Sequence, residues 1–394
     1  MSEKLSQLGN EVHVFTSRAV HPKYFRIPDP GINGLPLEEM INSVHVHRFR
    51  VNYRFMDLVL QRGIKVRGVY RSFRALTGTT FELWEHGPVV LGMLAAILRL
   101  KPEVILATNN YSFTTYLCYL AKKFFKVPLV LMPITHPADP WTNHPCLKKM
   151  YDAADLLIAC TAFEKKYLLN AGQGENRIEV LPLGIDPDIF CGSDGEKARR
   201  KYNFKGGPVV AYFGRKVPHK GIETLIDCMG LVWRECPEAQ LLLAGQVDDH
   251  FVLRMREHID QYSAAEKQRI IDVDNFDEEE KGGLYEAADV VAMPSDVDCF
   301  GIIYLEAWAV GKPVIACKDT PQETIIRDGI DGLLVEYQNK EQLAGAILKL
   351  FKDAGLRKQM GREGRRALET KYHVDVYGAN LQEAYRKLLE RLKR

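Results

Sequence analysis

The chain has 394 residues, 46% of them hydrophobic and 26% charged, with a formal net charge of +2. It is too long for one ordinary doubly wound domain and suits two, and a charge so near balance argues against a dedicated nucleic-acid binder, which would be strongly basic. The longest apolar run, residues 89–98, falls well short of the roughly 20 residues a membrane-crossing helix needs.

Residues 4–9 read as the tail of a helix ending at Gly9. Residues 11–17, EVHVFTS, follow as a buried parallel strand, with further strands expected at 44–50, 104–108, 129–133, 156–160 and 178–181. Helices are expected at 111–125, 147–153 and 162–171. After the polar stretch 192–207 a second series of strands is expected at 209–214, 240–245, 270–273, 290–293, 313–316 and 332–335, with helices between them. Strands alternating with helices predict an α/β chain of two Rossmann-like, doubly wound domains. The expected boundaries are 1–188 for the first domain, 189–207 for a linker, 208–372 for the second domain and 373–394 for a terminal helix. That helix places Leu381, Tyr385, Leu388, Leu389 and Leu392 on one face. Ligands of such domains bind at the carboxyl ends of strands.

The densest chemistry lies in residues 294–315, PSDVDCFGIIYLEAWAVGKPVI, a loop and a short helix between two apolar strands. Phe300, Gly301 and Ile302 open that helix, where backbone N–H groups and the helix dipole favour an anion. Asp298 and Glu306 are two acids able to accept hydrogen bonds from sugar hydroxyls; on spacing alone, Glu306 is as well read as a capping residue of its own helix. Upstream, the strand at 209–214 runs into Gly214-Arg215-Lys216-Val217-Pro218-His219-Lys220-Gly221. Arg215 can hold phosphate oxygens with two parallel donors and Lys220 adds a point charge, although a basic pair on a loop is more often a solvated surface. Its position at a strand end ahead of the acidic loop favours the phosphate reading.

Other features leave alternatives open. His136 lies just past the strand at 129–133 and can donate to a hydroxyl, yet lone histidines are more often structural; His144 is a weaker rival. Asp-x-Asp occurs at 186/188, 272/274 and 296/298, too often for one metal motif. His45-x-His47 points two imidazoles to one strand face without an apparent third ligand. Eight cysteines without a CxxC pair read as reduced thiols, and nothing in sequence activates Cys299 as a nucleophile. Residues 48–74 carry eight basic residues and one acid, Asp57, interleaved with aromatics. They are as well read as a solvated helical face as a site for anionic lipid headgroups or a polyanionic acceptor.

The array Asp298-x-Phe300-Gly301-x4-Glu306-Ala307-x-Ala309-x-Gly311-x-Pro313-Val314-Ile315 resembles the signature of the retaining glycosyltransferases of family 4, which have the GT-B fold. Residues 214–221 are similar to that family's GR-x-x-x-x-KG pattern. The likeness is close over residues 178–335, looser over 106–155 and slight over 18–100. It implies a hexosyltransferase taking a nucleoside diphosphate sugar and a lipid or glycan acceptor, with no cofactor, no required metal and no nucleic-acid partner. By the same resemblance Glu306 holds the ribose, while Gly214, Arg215, Lys220, Phe300, Gly301 and Ile302 surround the diphosphate. Asp298, where the family usually has Glu, and His136 stand near the sugar, and the terminal helix crosses back to the first domain.

The family also has a first strand and a glycine-rich turn ahead of its opening helix, whereas Met1 here falls inside that helix. A start that is truncated or misassigned is therefore expected, leaving two mid-sheet strands each without one partner. The expected location is cytoplasmic, peripheral on the inner membrane face through 48–74. A sugar-nucleotide epimerase or phosphorylase of the same architecture, and a non-catalytic nucleotide-sugar binder, are the competing readings.

Overall fold

The computed structural model describes residues 1–19, 35–52, 87–108, 112–135, 145–248, 250–296 and 298–394. It divides into two compact units, Met1–Leu181 with Gly378–Arg394, and Pro182–Tyr377.

The first unit runs α1 (Ser2–Gln7), β1 (His13–Ser17), β2 (Glu38–Ile41), β3 (Val44–Phe49), α2 (Gly92–Leu100), β4 (Ile105–Thr108), α3 (Phe113–Phe125), β5 (Leu129–Met132), α4 (Pro145–Ala153), β6 (Leu156–Ala159), α5 (Ala162–Asn170) and β7 (Ile178–Val180). β4, β5, β6 and β7 form one parallel sheet in that order. β5 and β6 are unbroken apolar runs because both of their faces are covered, and all their residues are buried. A second sheet has the order β1-β3-β2, with β1 parallel and β2 antiparallel to β3. One apolar core serves both sheets: Met93 and Ile97 of α2, Tyr116 of α3, Leu129, Leu131, Met150 and Leu157 pack together, with Phe15 and Phe49 against them.

Among the described residues, β1 pairs only with β3 and β4 only with β5, so each keeps one open edge. Their burial agrees: His13, Val14, Phe15, Ile105 and Leu106 are half-buried, where the doubly paired β5 is closed throughout. Among the described residues the strands of this unit thus form two sheets.

The second unit opens with the 3-10 turn Pro187–Phe190 and continues α6 (Gly195–Lys201), β8 (Val209–Phe213), α7 (Ile222–Glu235), β9 (Gln240–Ala244), α8 (Val252–Asp260), α9 (Ala264–Lys267), β10 (Ile270–Val273), α10 (Glu278–Ala287), β11 (Val290–Ala292), α11 (Ile302–Ala309), β12 (Val314–Cys317), β13 (Gly332–Val335), α12 (Lys340–Lys352) and α13 (Ala354–Lys371). Its six parallel strands have the order β10-β9-β8-β11-β12-β13. β8 is central, paired on both edges and buried at all its residues. The connection reverses direction between β8 and β11, so their carboxyl ends border the topological switch point where such sheets bind ligands.

One segment differs from expectation in detail. The stretch read as a linker, 189–207, contains α6, capped by Asp194, whose carboxylate accepts from Lys197 N at 2.9 Å. α6 packs on α10, with the Arg199 guanidinium donating to Ala287 O at 2.6 Å and Tyr202 Oη to Glu280 at 3.0 Å. The last helix, α14 (Val374–Lys393), belongs to the first unit from Gly378 onward. There Arg391 donates to Asp155 O at 2.6 Å, and Gly378 lies so close to α1 that a Cβ would stand 2.6 Å from Lys4 Cγ. No described helix is long and apolar enough to cross a membrane.

Candidate functional site

The second unit brings two loops together at its switch point. The first leaves β8 through Gly214, whose φ of 138° lies outside the ordinary range of L residues. Just past the neighbouring strand β9 lies Gly245, where a Cβ would come within 2.1 Å of Gly214 O. Two strand ends therefore approach more closely than side chains allow. Tyr212 Oη donates to Arg215 O at 2.6 Å and holds the start of the loop, leaving the Arg215 side chain exposed. Lys216, between the two expected phosphate binders, turns inward; its ammonium is fully buried and pairs with Asp272 and with Asp274 at 2.7 Å.

Three contacts clamp this loop to the one after β11. A Cβ on Gly221 would stand 1.9 Å from Pro294 O, so only glycine permits the approach. Ser295 Oγ donates to His219 O at 3.2 Å. Lys220 Nζ lies 2.8 Å from Asp298 Oδ1, with only 13% and 17% of the two side chains exposed. Water screens a pair that enclosed less than it screens a surface pair. Burial, followed by the nearby Lys220 and Arg215 charges, pushes the His219 imidazole below its ordinary pKa.

The second loop ends in α11. Gly301 takes φ 87°, and a Cβ there would meet the Tyr304 ring at 2.4 Å. Among the described residues no side chain caps the first turn of α11, so its leading amides remain donors for an anion. Phe300 is buried and Ile302 exposed, so the turn has one side in the core and one at the surface. Cys299 is buried as well.

Glu306 sits one turn further and is only 6% exposed. It does not cap its helix. One oxygen accepts from Lys281 Nζ at 2.6 Å and the other from Tyr285 Oη at 2.7 Å, both on α10. The Tyr285 ring stacks on Phe213 at the end of β8, with centroids 3.7 Å apart. Burial, then the Glu306 charge, raises the Tyr285 hydroxyl well above its ordinary pKa. Neither Lys281 nor Tyr285 was singled out in the sequence; their four-residue spacing on one helix face was the available signal.

Lys220 and Asp298 thus meet, on loops that also carry Gly214 and Arg215 on one side and Phe300, Gly301 and Ile302 on the other, while Glu306 is buried against α10. The other acidic pairs have local duties. Asp186 caps the turn after it by accepting from Asp188 N at 2.9 Å, and Asp272 and Asp274 neutralise Lys216. His136 and His144 lie outside the described residues, as does the basic run from residue 53 onward; Arg48, at its start, pairs with Glu39 at 2.7 Å. Just before His136, Thr135 N donates to Glu164 Oε1 at 2.7 Å, and Cys160 N donates to Oε2 at the same distance. One buried carboxylate therefore ties together the loops that follow β5 and β6.

Comparison with known proteins gives this geometry a context. The model described as Glycosyltransferase Family 4 matches residues 1–189, and that described as Glycosyl transferases group 1 matches residues 194–367. A D-inositol 3-phosphate glycosyltransferase of Corynebacterium glutamicum is 27% identical over 69% of this chain and 70% of its own length. A GDP-mannose-dependent monoacylated alpha-(1-6)-phosphatidylinositol monomannoside mannosyltransferase of the same species is 30% identical over 60% of this chain and 63% of its own. The matched part spans about half to two thirds of most such relatives, down to 52% in one from Salinispora tropica. The sucrose-phosphate synthase structure from Thermosynechococcus elongatus superposes with a TM-score of 0.76 at 21% identity, covering 99% of this chain and 92% of its own. With one model on each unit and GT-B enzymes as its structural neighbours, the chain belongs to the family 4 glycosyltransferases.

Proposed function

We propose that this protein is a retaining hexosyltransferase that moves a sugar from a nucleoside diphosphate to a lipid or glycan acceptor. The Lys220–Asp298 pair at 2.8 Å, held beside the start of α11 at the switch point, carries the reading. A donor diphosphate set against the α11 amides exchanges Asp298 for phosphate at Lys220, while Arg215 supplies two further donors. Asp298, released from the ammonium, then faces the sugar hydroxyls as an acceptor. Glu306 keeps acceptor capacity beyond its bonds to Lys281 and Tyr285, because a carboxylate offers about four lone-pair sites; we assign it the ribose.

Catalysis in this scheme is alignment of the acceptor with the anomeric carbon, together with stabilisation of the charge on the departing diphosphate. His136 is assigned to the reacting side, and no cofactor or metal enters the transfer. The named substrates of the relatives, GDP-mannose and inositol-bearing acceptors, favour a polyol acceptor of the inositol or inositol-lipid type. A cytoplasmic location at an anionic membrane surface, reached through residues 48–74, completes the proposal.

The test is transfer from a panel of nucleoside diphosphate sugars to inositol phosphates and inositol lipids, with the product anomer read by NMR. The expected result is a glycoside that keeps the donor's anomeric configuration. Isomerised sugar nucleotide, phosphate-dependent cleavage, or nucleotide binding without turnover would replace this reading with an epimerase, a phosphorylase or a binding protein respectively.

A further inference from the structure

We propose that Glu11, His13 and His45 form a site for one divalent ion of the zinc class in the first unit, backed by His47 and Glu38. The sequence shows only His45-x-His47. The fold adds the rest by pairing β1 with β3 in parallel, with His13 opposite His45 and Phe15 opposite His47. The His13 and His45 rings stack with centroids 4.5 Å apart and planes 12° from parallel. Glu11 Oε1 lies 3.0 Å from His13 Nε2. One ligand atom from each of Glu11, His13 and His45 lies within 4.8 Å of the other two. Ligand atoms around a tetrahedral zinc stand roughly 3.3 Å apart, from bonds of about 2.0–2.1 Å, so small side-chain rotations close the set. The Glu11 side chain is 75% exposed, which makes its movement cheap.

The second layer supports the same reading. His13 Nδ1 is 2.9 Å from His47 Nε2, and His47 Nδ1 is 3.7 Å from Glu38. With its Nε2 on the ion, His13 keeps the Nδ1 proton and donates it to His47, which Glu38 orients in turn. A metal-bound imidazole ordinarily has such an outer partner, which fixes its tautomer and ring plane. Stacked imidazoles are also a poor choice for packing alone. β5 and β8 fill their strands with buried aliphatic and aromatic residues, whereas β1 and β3 place three polar rings together on one face.

Two imidazoles and a carboxylate suit zinc, cobalt or nickel, while magnesium and calcium prefer all-oxygen sets. Three protein ligands leave a fourth position for water. The ion would staple β1, which among the described residues has one open edge, to β3. Its residues belong to the first unit, whereas Lys220 and Asp298 belong to the second.

The experiment is calorimetric titration of untagged, chelator-treated full chain with zinc, alongside visible absorption with cobalt. The expected result is one zinc per chain, visible bands of four-coordinate cobalt, and no competition from millimolar magnesium or calcium. Glu11→Gln, a surface change that leaves folding intact, and His45→Asn are expected to weaken zinc at least tenfold; His47→Gln is expected to weaken it by ~10-fold through lost orientation. Absence of zinc binding below the millimolar range would overturn the proposal. So would unchanged affinity in Glu11→Gln, or in a folded His13→Asn/His45→Asn double variant.

Discussion

Gly301 shows at a single residue how the site depends on what is missing from a side chain. A methyl group there meets both a φ of 87° and the Tyr304 ring at 2.4 Å. Gly301→Ala is therefore expected to destabilise the second unit by roughly 2–4 kcal/mol and to weaken nucleoside diphosphate binding, as read by chemical denaturation and calorimetry. A melt and an affinity equal to wild type would show that the first turn of α11 tolerates rearrangement. The tyrosines beneath the site make a second prediction. Burial, and next the charges of Glu306 or Asp298, raises the hydroxyl pKa values of Tyr285, Tyr304 and Tyr212. The folded state retains these protons above about pH 10, where tyrosines of the unfolded chain lose theirs, so the unfolded state binds fewer protons and stability falls as pH rises. Denaturant midpoints are expected to be level up to about pH 9 and to drop beyond it; a level midpoint through pH 11 would contradict the burial of these hydroxyls.

At the scale of elements, unbroken apolar runs made the central strands legible, since a strand covered on both faces has no polar side to confuse its period. β2, with the sequence EEMI and every residue exposed, offered no such run and went unread. α6 read as linker because GEKARRK has a single apolar side chain, Ala198; what holds it is α10, distant in sequence, through Arg199 and Tyr202. Glycine and charge spacing announced the residues of the two site loops, but not the clamp between them. Gly221 against Pro294 and Ser295 against His219 join segments more than 70 residues apart. The inward turn of Lys216 was equally hidden, because its partners Asp272 and Asp274 arrive with another strand. The histidine cluster was half legible: His45-x-His47 was visible, and only the β1–β3 register supplies His13 and Glu11.

Over the whole molecule the two units differ in how their strands are paired and covered. In the second, β8 is paired on both edges and closed to water; in the first, β1 and β4 each keep an open edge among the described residues. Local stability follows pairing and burial, so hydrogen exchange is expected to be slowest in β8, β9 and β11 and measurably faster in β1 and β4. Equal protection of β1 and β8 would mean that something covers the open edge of β1. The two family models divide the chain in the same sense, one on residues 1–189 and one on residues 194–367, and the nucleotide-facing chemistry argued above lies in the second. At its heart the Lys220–Asp298 clamp is expected to open to a donor diphosphate. The direct measurement is calorimetric titration of the full chain with GDP and UDP, comparing wild type with Lys220→Ala. The expected result is micromolar binding of at least one of the two and a loss of at least ~10-fold in the variant, as for a charge-assisted phosphate contact. Equal affinity in the two proteins, or no binding to either, would contradict it.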